Sequence, residues 1–129
     1  MDDYVTDTHT LYWYLIASPK LNVDSKAVFD EARAGTALIH ISTIVLAELF
    51  YLNVKHSYPI DFEAEYQKFE AGSQFVLTPF DPEDVLDFGR DSSVKEMHDR
   101  IIVGLARRLD APLLTSDNNI IASGLVKIV

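Results

Sequence analysis

Cysteine is absent from this 129-residue sequence. That excludes a disulfide framework, thiol catalysis and any zinc site built on thiolates. A cysteine-free chain suits a reducing compartment, and the cytoplasm is the expected location. Basic side chains are scarce, with 11 Lys and Arg against 20 Asp and Glu, for a net charge of −9. This balance argues against a simple electrostatic nucleic-acid binder, which is usually basic. The acidity is uneven, however. Asp61 to Asp91 carries nine acids and two bases, a net of −7, which leaves −2 for the rest of the chain. That segment carries no motif and reads as a solvated surface. No apolar run approaches the ~20 residues of a membrane span. The start Met1-Asp2-Asp3 lacks the positive charge of a signal peptide, so no membrane association is expected. Glycine and proline number five each, and there is no linker, repeat or low-complexity tract.

What is present is globular. Hydrophobic residues make up 48% of the chain, and the mean hydropathy is +0.06. The length suits one domain over residues 1–129. Short β-rich runs alternate with amphipathic stretches. Strands are expected at Tyr4–Thr6, Ala37–Ile41, Phe75–Phe80, Pro112–Thr115 and Val126–Val129. Helices are expected from Thr8 to Ile16, from a cap at Asn22 or Asp24 through Ala34 and from Ser42 or Thr43 to about Lys55. Further helices are expected at Asp61–Ala71, from Pro82 to about Phe88 and at Met97–Leu109, where Ile101, Ile102, Leu105 and Leu109 share a face. Such alternation predicts a mainly parallel central sheet covered on both sides, a three-layer α/β/α sandwich.

Four acids occupy unusual places in that layout. Asp7 follows the first strand and Asp117 follows the strand Leu113-Leu114-Thr115. The carboxyl ends of parallel strands are where open sheets bind ligands. Glu48 interrupts the apolar run Ile44-Val45-Leu46-Ala47-Glu48-Leu49-Phe50-Tyr51-Leu52, and a carboxylate there needs a cation, hydrogen bonds or a raised pKa. Asp99 opens the Ile101 helix at the border of its apolar face. Each acid has an ordinary reading on its own. Asp7 can cap a helix, Asp99 can favour a helix dipole, Asp117 can make a turn, and Glu48 can pair with Arg100 or Arg107. Together at one sheet edge they would repel one another strongly without cations. A carboxylate-only set suits a hard divalent ion, Mg²⁺ or Mn²⁺, as one or two ions. Two such ions can activate a water and stabilise a leaving oxygen in phosphodiester cleavage.

Four strings carry a wider resemblance. Asp7-Thr8-His9-Thr10-Leu11-Tyr12-Trp13-Tyr14-Leu15, Ser42-Thr43-Ile44-Val45-Leu46-Ala47-Glu48-Leu49, Met97-His98-Asp99-Arg100-Ile101-Ile102-Val103 and Ala111-Pro112-Leu113-Leu114-Thr115-Ser116-Asp117 follow one another in order. They resemble the motifs of PIN-domain proteins, specifically the VapC-type toxins of toxin–antitoxin pairs. The resemblance implies a metal-dependent endoribonuclease with Asp7, Glu48, Asp99 and Asp117 as catalytic, metal-binding acids. Thr115 and Ser116 would support them by hydrogen bonds. It also implies an RNA substrate such as tRNA or rRNA, a small antitoxin partner and a homodimer. Some relatives carry a further acid after the fourth motif; here Asn118 and Asn119 stand in that region, and Asn119 is a supporting candidate of lower charge. Glu96 can add charge beside Asp99.

Among other residues, His9 and Arg100 are candidate substrate contacts, and Arg100 can alternatively orient a carboxylate. His98 favours capping or surface contact, and Arg108 reads as surface. Tyr12, Trp13 and Tyr14 can stack on bases, but an aromatic cluster in an early helix more often packs in a core or dimer interface. Two other functions keep the acids: a housekeeping PIN ribonuclease, and a non-catalytic protein-binding module that retains the acidic pocket.

Overall fold

The computed structural model describes residues 1–129. Its centre is a four-stranded, all-parallel sheet in the order β3-β2-β1-β4. The strands are β1 (Asp2–Thr6), β2 (Ala37–Ser42), β3 (Phe75–Thr78) and β4 (Leu113–Leu114). Asp2 pairs with Ala37, Ile39 with Phe75 and Val5 with Leu113. Between them run α1 (Thr8–Leu15), α2 (Val23–Arg33), α3 (Thr43–Lys55), α4 (Phe62–Glu70), α5 (Glu83–Leu86), α6 (Met97–Leu109) and α7 (Asn118–Ser123). The expected α/β/α sandwich is therefore the observed architecture.

The helix starts follow from local side-chain chemistry. Asp7, Asn22, Ser42 and Asp61 each accept a backbone N–H from the first turn of α1, α2, α3 and α4. Glu96 does so for α6, taking the Asp99 N–H at 3.1 Å. Side chains alternate on β2, where Ala37, Ile39 and Ile41 are fully buried and Leu38 and His40 are only partly so. They join Val5, Leu49, Leu113 and Leu114 in one core.

Three elements differ from expectation. The segment after Pro82 is helical only over Glu83–Leu86, and the Phe88 region continues as turns. The final strand reduces to one parallel bridge, Leu113 to Ile128. Helix α7 has no counterpart in the sequence pattern, because its six residues carry no helical apolar period; Asp117 caps it through the N–H groups of Asn119 and Ile120. Leu109 also departs from the buried face of α6, at 38% exposure.

The acidic segment is solvated over much of its length, as expected, but two of its acids are not. Asp91 is fully buried and Asp84 nearly so. Asp91 receives two hydrogen bonds from Arg107, and Asp84 receives one from Arg108. A buried carboxylate requires such a partner, since leaving the charge unpaired is costly. Arg108 is thus a structural anchor rather than an idle surface residue. The stretch from Asp81 to Val94 straps itself over α6 through these contacts, and six consecutive residues of that helix, Ile101 to Ala106, are buried.

Candidate active site

The sheet's strand order reverses between β1 and β4. The chain steps outward from β1 to β3, then returns to the other side of β1. Open parallel sheets bind ligands beyond the carboxyl ends of the strands at such a reversal. Asp7 leaves the end of β1 there, and Ser116 and Asp117 follow β4 after Thr115. Helix α3 begins directly at the end of β2 and carries Glu48 on its second turn, while α6 brings Glu96 and Asp99. All of these meet in one cleft of about 360 Å³, lined also by Thr8, His9, Trp13 and Ile102.

Asp7 is buried and tied on both oxygens. Its Oδ1 accepts the Thr10 N–H at 2.9 Å and its Oδ2 accepts the Thr115 hydroxyl at 2.5 Å. Burial pushes its pKa above the ordinary carboxylate range, against the opposing pull of the Thr115 bond. Thr115 also accepts the Asp117 N–H at 3.0 Å, so one hydroxyl links the ends of β1 and β4. Asp7 therefore serves the capping role and faces the cleft at once. The same holds for Asp117, whose Oδ1 caps α7.

Glu48 is about 30% exposed and is held from two sides. Its Oε1 accepts the Thr8 hydroxyl at 2.6 Å, and its Oε2 lies 3.0 Å from His98 Nδ1. Neither Arg100 nor Arg107 reaches it. Asp99 is pushed up to about 7, first by desolvation and then by the charges of Glu96, Asp117, Glu48 and Asp7. An acid whose own neighbours resist its ionisation marks a cluster short of positive charge.

That shortage fits a divalent cation, as does a donor set of carboxylates without thiolates. No three His, Asp or Glu side chains group closely enough to hold an ion unaided. Mg²⁺ commonly binds through one or two carboxylates and keeps several waters.

The remaining candidates divide. Ser116 lines the cleft and accepts a hydrogen bond from Asn22 Nδ2 at 3.1 Å, which ties it to the start of α2. His9 lines it with an exposed ring. Asn119 is exposed, outside the lining, and touches Asp117 through its backbone N–H. Arg100 is a correction. Its guanidinium donates to the carbonyls of Val94 (2.5 Å), Phe88 (3.1 Å) and Ser92 (3.4 Å), so it fastens the strap segment and is not in the cleft. His98 is a second correction, since it reaches into the site through Glu48 instead of only capping α6. Thr8 had no sequence signal beyond its place beside Asp7. Its partner lies 40 residues away.

The PIN domain family model matches residues 4–123, and the chain belongs to that family. A solved structure of VapBC2 from Rickettsia felis bound to a DNA fragment from their promoter has the same fold. It superposes with a TM-score of 0.69 at 18% identity, covering 98% of this chain and 97% of that one. No curated protein matches the sequence.

Proposed function

We propose that this protein is a metal-dependent endoribonuclease acting in the cytoplasm as the toxin of a toxin–antitoxin pair. The observation that carries the reading is the meeting of Asp7, Glu48, Asp99 and Asp117, from four separate segments, in one cleft at the carboxyl edge of a PIN-family sheet. The VapBC2 neighbour supports the toxin role and a small antitoxin as partner. A homodimer is the proposed assembly.

Asp7, Glu48, Asp99 and Asp117 would hold one or two Mg²⁺ or Mn²⁺ ions. When bound, such an ion supplies Lewis-acid stabilisation of phosphate charge and eases deprotonation of an attacking water. The chain's own residues supply position and charge. Thr115 holds Asp7 in one orientation, and Thr8 and His98 hold Glu48. Asp99, its carboxyl raised to about 7 by burial and by neighbouring acids, gives up its proton more readily where a cation offsets those neighbours. The acids then present a surface that a phosphodiester can approach. No Lys or Arg lines the cleft, so an uncompensated carboxylate cluster would repel that substrate.

The test is cleavage of total cellular RNA by purified protein, with and without Mn²⁺ or Mg²⁺, beside Asp7→Asn and Asp99→Asn. Discrete metal-dependent products that vanish in both variants are expected. Products that persist unchanged in folded Asp7→Asn protein, or an absence of both cleavage and metal binding in the wild type, would overturn the reading.

A further inference from the structure

We propose that Trp13 and His9 form a nucleobase subsite beside the acidic cluster, where the base next to the cleaved phosphate stacks on the indole. This rests on the ribonuclease reading and adds the residues that position the substrate base. The neighbours of Trp13 are committed to packing. Tyr12 is 6% exposed, and Tyr14 lies flat on Phe29 with ring centroids 4.1 Å apart. Trp13 is different. It packs on the core from one side yet remains only partly buried, and it lines the cleft. The cleft has only one other hydrophobic lining residue, Ile102, which is 1% exposed. The indole is therefore the principal apolar surface in an otherwise polar and acidic cavity.

His9 lies four residues earlier on α1, on the same helix face. The two rings sit 5.8 Å apart at 54°. This open corner offers a face for stacking and a ring nitrogen for hydrogen bonding to a base edge. Charge favours such a subsite. The lining contains no Lys or Arg, and the chain carries −9 overall. Phosphate contacts to basic side chains, the usual source of nucleic-acid affinity, are unavailable inside the cleft. Stacking is indifferent to that charge and accepts any base with an exposed face. Bases within a duplex present no such face, whereas loops, bulges and ends do.

Trp13 is the chain's one tryptophan, so its fluorescence reports on this position alone. The probe is an unstructured RNA of about eight nucleotides, titrated in Ca²⁺ and compared with the same RNA annealed to its complement. Quenching by the single strand and not by the duplex is expected. Trp13→Leu, which retains apolar packing but cannot stack, should bind the labelled single strand roughly 5- to 150-fold more weakly. Trp13→Phe should recover much of that loss, which a purely structural role would not predict. Circular dichroism checks that each variant folds. Equal quenching by duplex, no quenching, or unchanged binding by folded Trp13→Leu would overturn the subsite. Wild-type protein that cleaves RNA while Trp13→Leu binds and cleaves equally well would sink the subsite and leave the nuclease standing. Single-strand quenching in a protein that cleaves nothing with Mn²⁺ would do the reverse.

Discussion

At the residue scale the acids are held at a cost. The carboxyl of Asp99 is raised to about 7 by desolvation and by four neighbouring acids. Between pH about 4 and 7, the folded chain retains a proton there that the unfolded chain has released. The stability of metal-free protein should therefore fall as pH rises through that window and level off above it. Asp99→Asn removes the penalty. In chelator at pH 8 it should be more stable than wild type by about 1 kcal/mol after allowing for solvent screening, or roughly 3–4 °C in Tm. The same variant should lose RNA cleavage by at least about 100-fold. Calorimetry across pH and a cleavage assay check both halves. His98 makes a second prediction. His98→Ala frees one oxygen of Glu48 and should weaken Mn²⁺ binding roughly 10- to 100-fold, as loss of an outer partner of a metal ligand does. His98→Asn, whose amide can replace the Nδ1 donor, should recover part of it by isothermal titration.

At the element scale the strap over α6 is a separate structural device. Arg107 donates to Asp91, which has no exposed surface, while Arg100 collects three carbonyls from the same segment. Asp91 in turn raises the pKa of Arg107. Arg107→Ala leaves a buried carboxylate unpaired and should cost about 3–5 kcal/mol, measured by urea denaturation. This is a large share of a typical domain's stability. The composition of Asp61–Asp91 conveyed its charge but not this role. Asp84 and Asp91 look like any surface acids until the chain folds back, because their partners Arg108 and Arg107 lie 24 and 16 residues onward. The strands and the longer helices were legible because their periods and caps are local. Helix α7 was not, because its six residues are stabilised by a cap and by Ile120 in the core.

At the scale of the whole molecule, metal and assembly are the measurable quantities. A ligand at about 100 times its dissociation constant adds about 2.7 kcal/mol. Mn²⁺ at that excess should raise Tm by roughly 8–10 °C, and Asp7→Asn should abolish the shift. Differential scanning fluorimetry with a chelator control reads this directly. Sedimentation should report twice the 14.5 kDa chain mass for the proposed homodimer. Phe50, Tyr51, Val54 and Tyr58, exposed by 40% to 71%, supply apolar surface for it.

The alternation of the four sheet strands with the longer helices, and the unusual placing of four acids at strand ends and on helix faces, were legible in the sequence alone, because each rests on neighbours within a turn or a strand. The family resemblance rested on the same local strings. The tertiary structure decided which side chains meet. It joined Thr8 to Glu48, Thr115 to Asp7 and His98 to Glu48, and it withdrew Arg100 from the site. The three contacts that assemble the site span 40 to 108 residues. Local pattern carries no record of them, since they exist only once the parallel sheet has brought the strand ends to a common edge.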